Sequence, residues 1–173
     1  MSFLTIVAVL IMGVLMLFVG YAFLKNWKLS MNYKIFVCLV LPLLNIAFGV
    51  ALNLLDSFVG NPATLDHLLV TVIHLGVWII CFGFAYKAES KGVLVFYAFF
   101  WALTSGIAAL TAYIDSVETT VDFAWAIPIA MLLLPQWFGL NYLVEGYFVS
   151  SMIVLVMSLI IFSATVWRWK KVI

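Results

Sequence analysis

Charge is what this chain has least of. Eight Lys/Arg and seven Asp/Glu are spread over 173 residues, 9% of the chain, where a soluble domain carries about a quarter. That scarcity excludes a soluble globular enzyme, a disordered tail and a basic nucleic-acid-binding surface, so no nucleic-acid partner is expected. Cysteine is nearly absent too. Cys38 and Cys81 both fall inside apolar segments and form no CxxC pair, which excludes a disulfide scaffold and makes them small buried hydrophobes. HExxH, GxSxG and P-loop patterns are missing, so nothing argues for an enzyme. No base precedes the first apolar run at Met1 to Thr5. A cleaved signal peptide normally opens on bases, so that run reads as a retained span.

What the chain does have is hydrocarbon. Hydrophobic residues make up 68%, and the mean hydropathy is +1.28. Six apolar segments run from Phe3 to Leu24, Ile35 to Leu55, Leu68 to Tyr86, Val93 to Ile114, Phe123 to Leu140 and Tyr147 to Trp167. Crossing a bilayer takes about 20 helical residues, because hydrocarbon cannot satisfy free backbone groups. The expectation is therefore an all-α integral membrane protein. It is a single domain over residues 1–173, a bundle of five or six transmembrane helices with the N-terminus outside. The bilayer is its solvent and the cell membrane its expected location.

Loop charges give the orientation. Lys25, Lys28 and Lys34 fill the first connection and Asp56 and Asp66 the second. Lys87, Glu89 and Lys91 fill the third, and Asp115, Glu118 and Asp122 the fourth. Bases mark cytoplasmic loops. Arg168, Lys170 and Lys171 at the C-terminus fit that rule only if the fifth segment does not cross. That segment holds Pro128, Pro135, Gln136, Gly139 and Asn141. Proline removes a donor and frees an earlier carbonyl. Two readings stand: five spans with a re-entrant or surface-lying fifth segment, or six spans with a kinked fifth and an external C-terminus.

Three seams hold the candidate functional residues. Asn45, Gly49 and Asn53 are spaced by four on the second segment, with Cys38 and Pro42 near that face. His67, Thr71, His74, Trp78, Cys81 and Ala85 form one seam of the third, and Tyr97, Trp101, Thr104, Ala108, Thr111 and Asp115 one of the fourth. Each seam fits close helix packing, with polar groups bonding across helices. Each also fits the wall of a solute path. On the second reading Asn45, Asn53, His74, Trp78, Tyr97, Trp101 and Thr104 line the pore or ligand site, and His67, His74 and Glu145 are gating candidates, imidazole titrating near neutrality. No cofactor is called for. The residue types leave open ligation of haem, or of another metal of unknown identity, at His67 or His74. Seven residues of helix hold the two rings about 10 Å apart, so they cannot clamp one iron.

Phe82-Gly83-Phe84-Ala85-Tyr86 resembles the Phe-Gly-Phe-Thr-Tyr stretch of the urea and short-chain amide channel family. Phe96 to Ala102 is similar to the start of that family's next helix, and Asp122-Phe123 and Val144-Glu145-Gly146 to its later acidic positions. The resemblance implies a sixth span, an external N-terminus and an aromatic-lined pore passing urea or small amides, sometimes under acid gating. Trp125 and Trp137 match the family's tryptophan-rich fifth helix loosely, and the basic C-terminus departs from its pattern. The leading function class is a channel or carrier for a small solute. The rivals are a non-catalytic subunit or assembly factor of a larger membrane complex, and a haem-binding electron-transfer subunit. A homo-oligomer or larger complex is expected, because closed rings are the usual assembly of small spans.

Overall fold

The computed structural model describes residues 31–117, 121–144 and 146–172, together with Val14 and Tyr21. Apart from those two residues the expected first span, Phe3 to Leu24, lies outside the described residues, as do the acids Glu118 and Glu145. The described chain is all-helical, without strands. Four long helices, α1 (Met31–Val59), α2 (Leu65–Ala88), α3 (Lys91–Ser116) and α5 (Tyr147–Val172), are each long and apolar enough to cross a membrane. Between α3 and α5 runs a broken segment: a 3₁₀ turn (Ala124–Ala126), the short α4 (Ile127–Leu133) and a second 3₁₀ helix (Pro135–Tyr142). Its two arms meet at 78°.

Local chemistry sets these boundaries. Thr64 caps α2, its backbone N–H donating to Nδ1 of His67 at 3.0 Å. Asp122 Oδ1 accepts from the Ala124 N–H at 2.8 Å and starts the broken segment. Pro128 sits in the first turn of α4, where its missing N–H is harmless. Pro135 then ends the helix, because its ring nitrogen has no N–H to donate to the carbonyl four residues back, that of Met131. α4 stops at Leu133 and the chain bends. Gly146, at φ 94°, supplies the left-handed turn into α5.

The helices order the charges. Asp56, Asp66, Asp115 and Asp122 belong to one end of the bundle, at the α1–α2 loop and the end of α3. Lys34, Lys87, Lys91, Arg168, Lys170 and Lys171 belong to the other. α5 begins at the acidic end, where Gly146 and Tyr147 share a cleft with Gly60, Asn61 and Pro62. It finishes at the basic end, where Arg168 donates through Nε and Nη2 to the Tyr86 carbonyl at 3.2 and 3.0 Å and through Nη2 to Glu89 at 2.7 Å. The broken segment therefore enters and leaves the bundle at the same end. α3 and α5 pack antiparallel along their length, α1 lies against α2, and the broken segment fills the space between.

Beneath that segment, towards the basic end, sits the core of Trp78, Trp101, Tyr97, Leu94, Cys38 and Cys81, each 2% exposed or less. Trp78 stacks on Phe100 at 4.8 Å and meets Trp101 edge-on at 4.8 Å. One contact there repairs a backbone defect. Pro42 lies inside α1 and has no N–H for the carbonyl four residues back, that of Cys38. The Tyr97 hydroxyl donates to this carbonyl at 2.8 Å. Tyr97→Phe leaves a buried acceptor unpaired, so it should lose about 1–3 kcal/mol of stability. The buried thiols of Cys38 and Cys81 provide the readout: a fluorogenic maleimide should react at a lower temperature in the variant.

Candidate functional site

The seams on α1 and α2 converge on the broken segment and hold it by its backbone. Asn53 Nδ2 donates to the Pro135 carbonyl at 2.9 Å. Thr71 Oγ1 donates to the Gln136 carbonyl at 2.9 Å and accepts the Gly139 N–H at 3.1 Å. Asn45 Nδ2 donates to the His74 carbonyl at 3.2 Å and ties α1 to α2. These bonds explain why non-helical backbone is tolerated here: chain that leaves the helical pattern inside an apolar bundle must find partners in the protein. Two glycines permit the close approach. A Cβ on Gly49 would lie 2.5 Å from Cβ of Gln136, and one on Gly139 would collide with the backbone of His67 and Leu68.

His74 is at the centre, 1% exposed. Trp78 Nε1 donates to its Nε2 at 3.0 Å. Indole is a donor only, so Nε2 holds a lone pair, Nδ1 carries the proton and the ring is neutral. Trp137 meets the ring edge-on at 4.9 Å, and its indole also lies 6.2 Å from that of Trp101. Around this point five buried polar atoms find no protein partner among the described residues: His74 Nδ1, Asn53 Oδ1, Gln136 Oε1, Trp101 Nε1 and Trp137 Nε1. Such groups are rare, because each costs about 1–3 kcal/mol when left unpaired.

His67 lies nearer the acidic end. Its Nδ1 accepts from Thr64, which leaves Nε2 to donate to Asp56 Oδ2 at 3.1 Å. Its ring is edge-on to Phe138 of the broken segment at 4.9 Å. Both histidines thus have Nε2 engaged, and ligation of a haem iron there would have to displace Trp78 or Asp56. No group of three or more His, Cys, Asp or Glu able to hold a metal occurs among the described residues. Thr104 donates to Phe100 in its own helix at 2.9 Å.

A cavity of about 290 Å³ opens on the other side of the broken segment, towards the acidic end, between α1, α3, α4 and α5. None of Asn45, Asn53, His67, His74, Trp78, Tyr97, Trp101 or Thr104 lines it. Its wall carries the rings of Phe58, Trp137, Phe138 and Tyr147 and the side chains of Ser57, Thr111, Asn141 and Ser150. Trp137 is common to both places, touching His74 and facing the cavity. Of these wall residues only Thr111 belongs to the seams read on α1, α2 and α3. Asn141 had a sequence signal, as a polar residue inside an apolar segment shortly after Pro135. Ser57, Phe58 and Ser150 had none, because their grouping depends on how three distant elements pack.

Compared with protein-family models, with curated proteins and with solved structures, the chain gives no match. The fold alone defines its class: among the described residues, an all-helical bundle with four helices of membrane-crossing length and apolarity, wrapped on a broken segment.

Proposed function

We propose that the chain is a multi-pass protein of the cell membrane that binds and passes a small solute, as a channel or a carrier. The observation that carries this reading is the broken segment. It enters and leaves at the acidic end, is pinned by Asn53 and Thr71, and has an unpartnered polar cluster at its turn. Irregular backbone inside a membrane bundle is tolerated where it is buried in protein or lines a cavity, and here it does both. In this reading residues 124–142 are re-entrant, the acidic end is external, and both the C-terminus and every base are cytoplasmic. That topology departs from the sixth span implied by the resemblance to urea and amide channels. Asn45, Asn53 and Thr71 act as positioning residues for the re-entrant turn. His74, Trp78, Tyr97, Trp101 and Thr104 form the floor beneath it. His67, held by Thr64 and Asp56 and edge-on to Phe138 of the broken segment, is the gating residue.

Flux into proteoliposomes tests the proposal. A panel of urea, acetamide, glycerol and small alkylammonium ions should include at least one member that enters at least tenfold faster than into protein-free vesicles. Ala130→Phe, which fills the cavity, should remove that flux. The reading fails if no member enters faster. A subunit role is the second reading, favoured by the closed aromatic packing of Trp78, Phe100 and Trp101 across the basic half. Copurification in fixed ratio with another membrane protein, without flux, would select it.

A further inference from the structure

We infer that the cavity between α1, α3, α5 and the broken segment binds an organic monocation with an apolar body, such as a quaternary or alkyl ammonium. The assignment rests on the solute-passing reading for its role, and on the cavity itself for binding.

Three hydroxyls of the wall have their protons committed elsewhere. Ser57 donates its hydroxyl proton to Leu54 O at 2.9 Å, Thr111 to Ile107 O at 2.9 Å and Ser150 to Tyr147 O at 3.1 Å. Each proton is thereby committed to the residue's own helix, and the oxygen keeps its lone pairs for another donor. Asn141 Oδ1 is a buried acceptor without a partner among the described residues. The wall groups that can still donate are Trp137 Nε1, the Asn141 amide and the hydroxyls of Ser151 and Tyr147. Four aromatic rings complete the wall, two of them, Phe138 and Tyr147, nearly parallel at 6.5 Å. Aromatic faces attract cations, and a ring cage is the usual way to hold quaternary ammonium.

The surrounding charge agrees. Asp115 stands one helical turn beyond Thr111, in electrostatic reach of the Tyr147 hydroxyl. Asp56 precedes Ser57 at the same end. Every described Lys and Arg position belongs to the opposite end. A neutral apolar ligand would offer the hydroxyl oxygens no positive charge, which a cation supplies by charge–dipole attraction even without an N–H, and an anion would face oxygen lone pairs and carboxylates. A cavity of about 290 Å³ holds a small ammonium ion with an aryl or short alkyl body. It is only partly enclosed, so the charged head keeps some water and avoids full desolvation.

The test uses the full chain in nanodiscs of zwitterionic phosphatidylcholine, with empty discs as the partition control. The probe is radiolabelled phenyltrimethylammonium, and the competitor is tert-butylbenzene, the uncharged carbon isostere. Binding should saturate and should weaken at least tenfold in the Thr111→Val/Ser150→Ala double variant. Asp115→Asn should weaken it at least threefold at low salt and have little effect at high salt. The isostere should compete at least tenfold more weakly than unlabelled probe. Equal competition by the isostere, absence of saturable binding, or undiminished binding by a folded double variant would each overturn the assignment. The isostere arm needs no substitution and survives any folding defect. Saturable binding without flux of any solute would overturn the solute-passing reading and leave this site standing. Flux without cation binding would do the reverse.

Discussion

Cysteines placed at Asn61, Val121 and Tyr142 should all react with a membrane-impermeant maleimide on intact cells, and cysteines at Lys91 and Lys171 only after lysis. The background is a Cys38→Ala/Cys81→Ala chain. All five positions are exposed in the bundle. The expected pattern is all-or-none, because a charged reagent does not cross the bilayer. The first arm, Ala124–Leu133, has ten residues and rises about 15 Å, half of a hydrocarbon core about 30 Å thick. The second arm, Pro135–Tyr142, has eight residues and covers about 16 Å at the steeper 3₁₀ rise. Neither arm alone can cross, and with a 78° break between them the two arms make an oblique dip that stays short of mid-core, with Tyr142 ending beside Asn61 and Gly60. Reaction of Val121 and Tyr142 from opposite sides would instead make the segment a kinked span, move the C-terminus outside and remove the basis of the re-entrant reading.

Much of this arrangement is legible in the sequence, and the illegible part has a common cause. Alternating basic and acidic loops mark the two ends of the bundle, because helices of span length joined by short connections must alternate direction. The seams are legible because spacings of three and four repeat on one helix face. Ser151, Ser158 and Thr165, spaced by seven on α5, are all buried, as a packing seam requires. What the seams face is another matter. Asn53 and Thr71 find partners 82 and 65 residues away, and those partners are backbone carbonyls, which leave no mark on composition. The bases after Trp167 conflict with a crossing fifth segment, yet hydropathy scores a hairpin of two short apolar arms much like one span. Pro42 shows the same division. The freed Cys38 carbonyl follows from the sequence by counting back four, whereas its donor, Tyr97, is set by the packing of α3. The cavity is the least legible feature, because its acceptors come singly from α1, α3, α5 and the broken segment.

Gly139→Ala should be the most damaging single methyl in the protein. Its Cβ would fall on the carbonyl of His67 and the Cα of Leu68. These are backbone atoms in the first turn of α2, held by the Thr64 cap, and no rotamer change moves them. Overpacking commonly costs about 1–3 kcal/mol, occasionally more, and a collision with fixed backbone belongs at the upper end. The alternative is for the second arm to lift away, which breaks the Gly139 N–H bond to Thr71 at 3.1 Å and uncovers His67. Gly49→Ala should cost less, because its new methyl meets Gln136 on the arm itself, and the arm can shift. Gly106→Ala meets nothing within 4 Å and should be neutral or stabilising by up to about 1 kcal/mol, as alanine is the better helix former. Thermal unfolding followed by the reaction of Cys38 and Cys81 ranks the three, and an unchanged midpoint for Gly139→Ala would mean that the arm does not lie on α2. The same variant links stability to function. Pro135, Trp137, Phe138 and Asn141 reach the cavity wall from this one arm, so displacing it should abolish phenyltrimethylammonium binding even in the fraction that stays folded. Gly106→Ala should leave that binding intact.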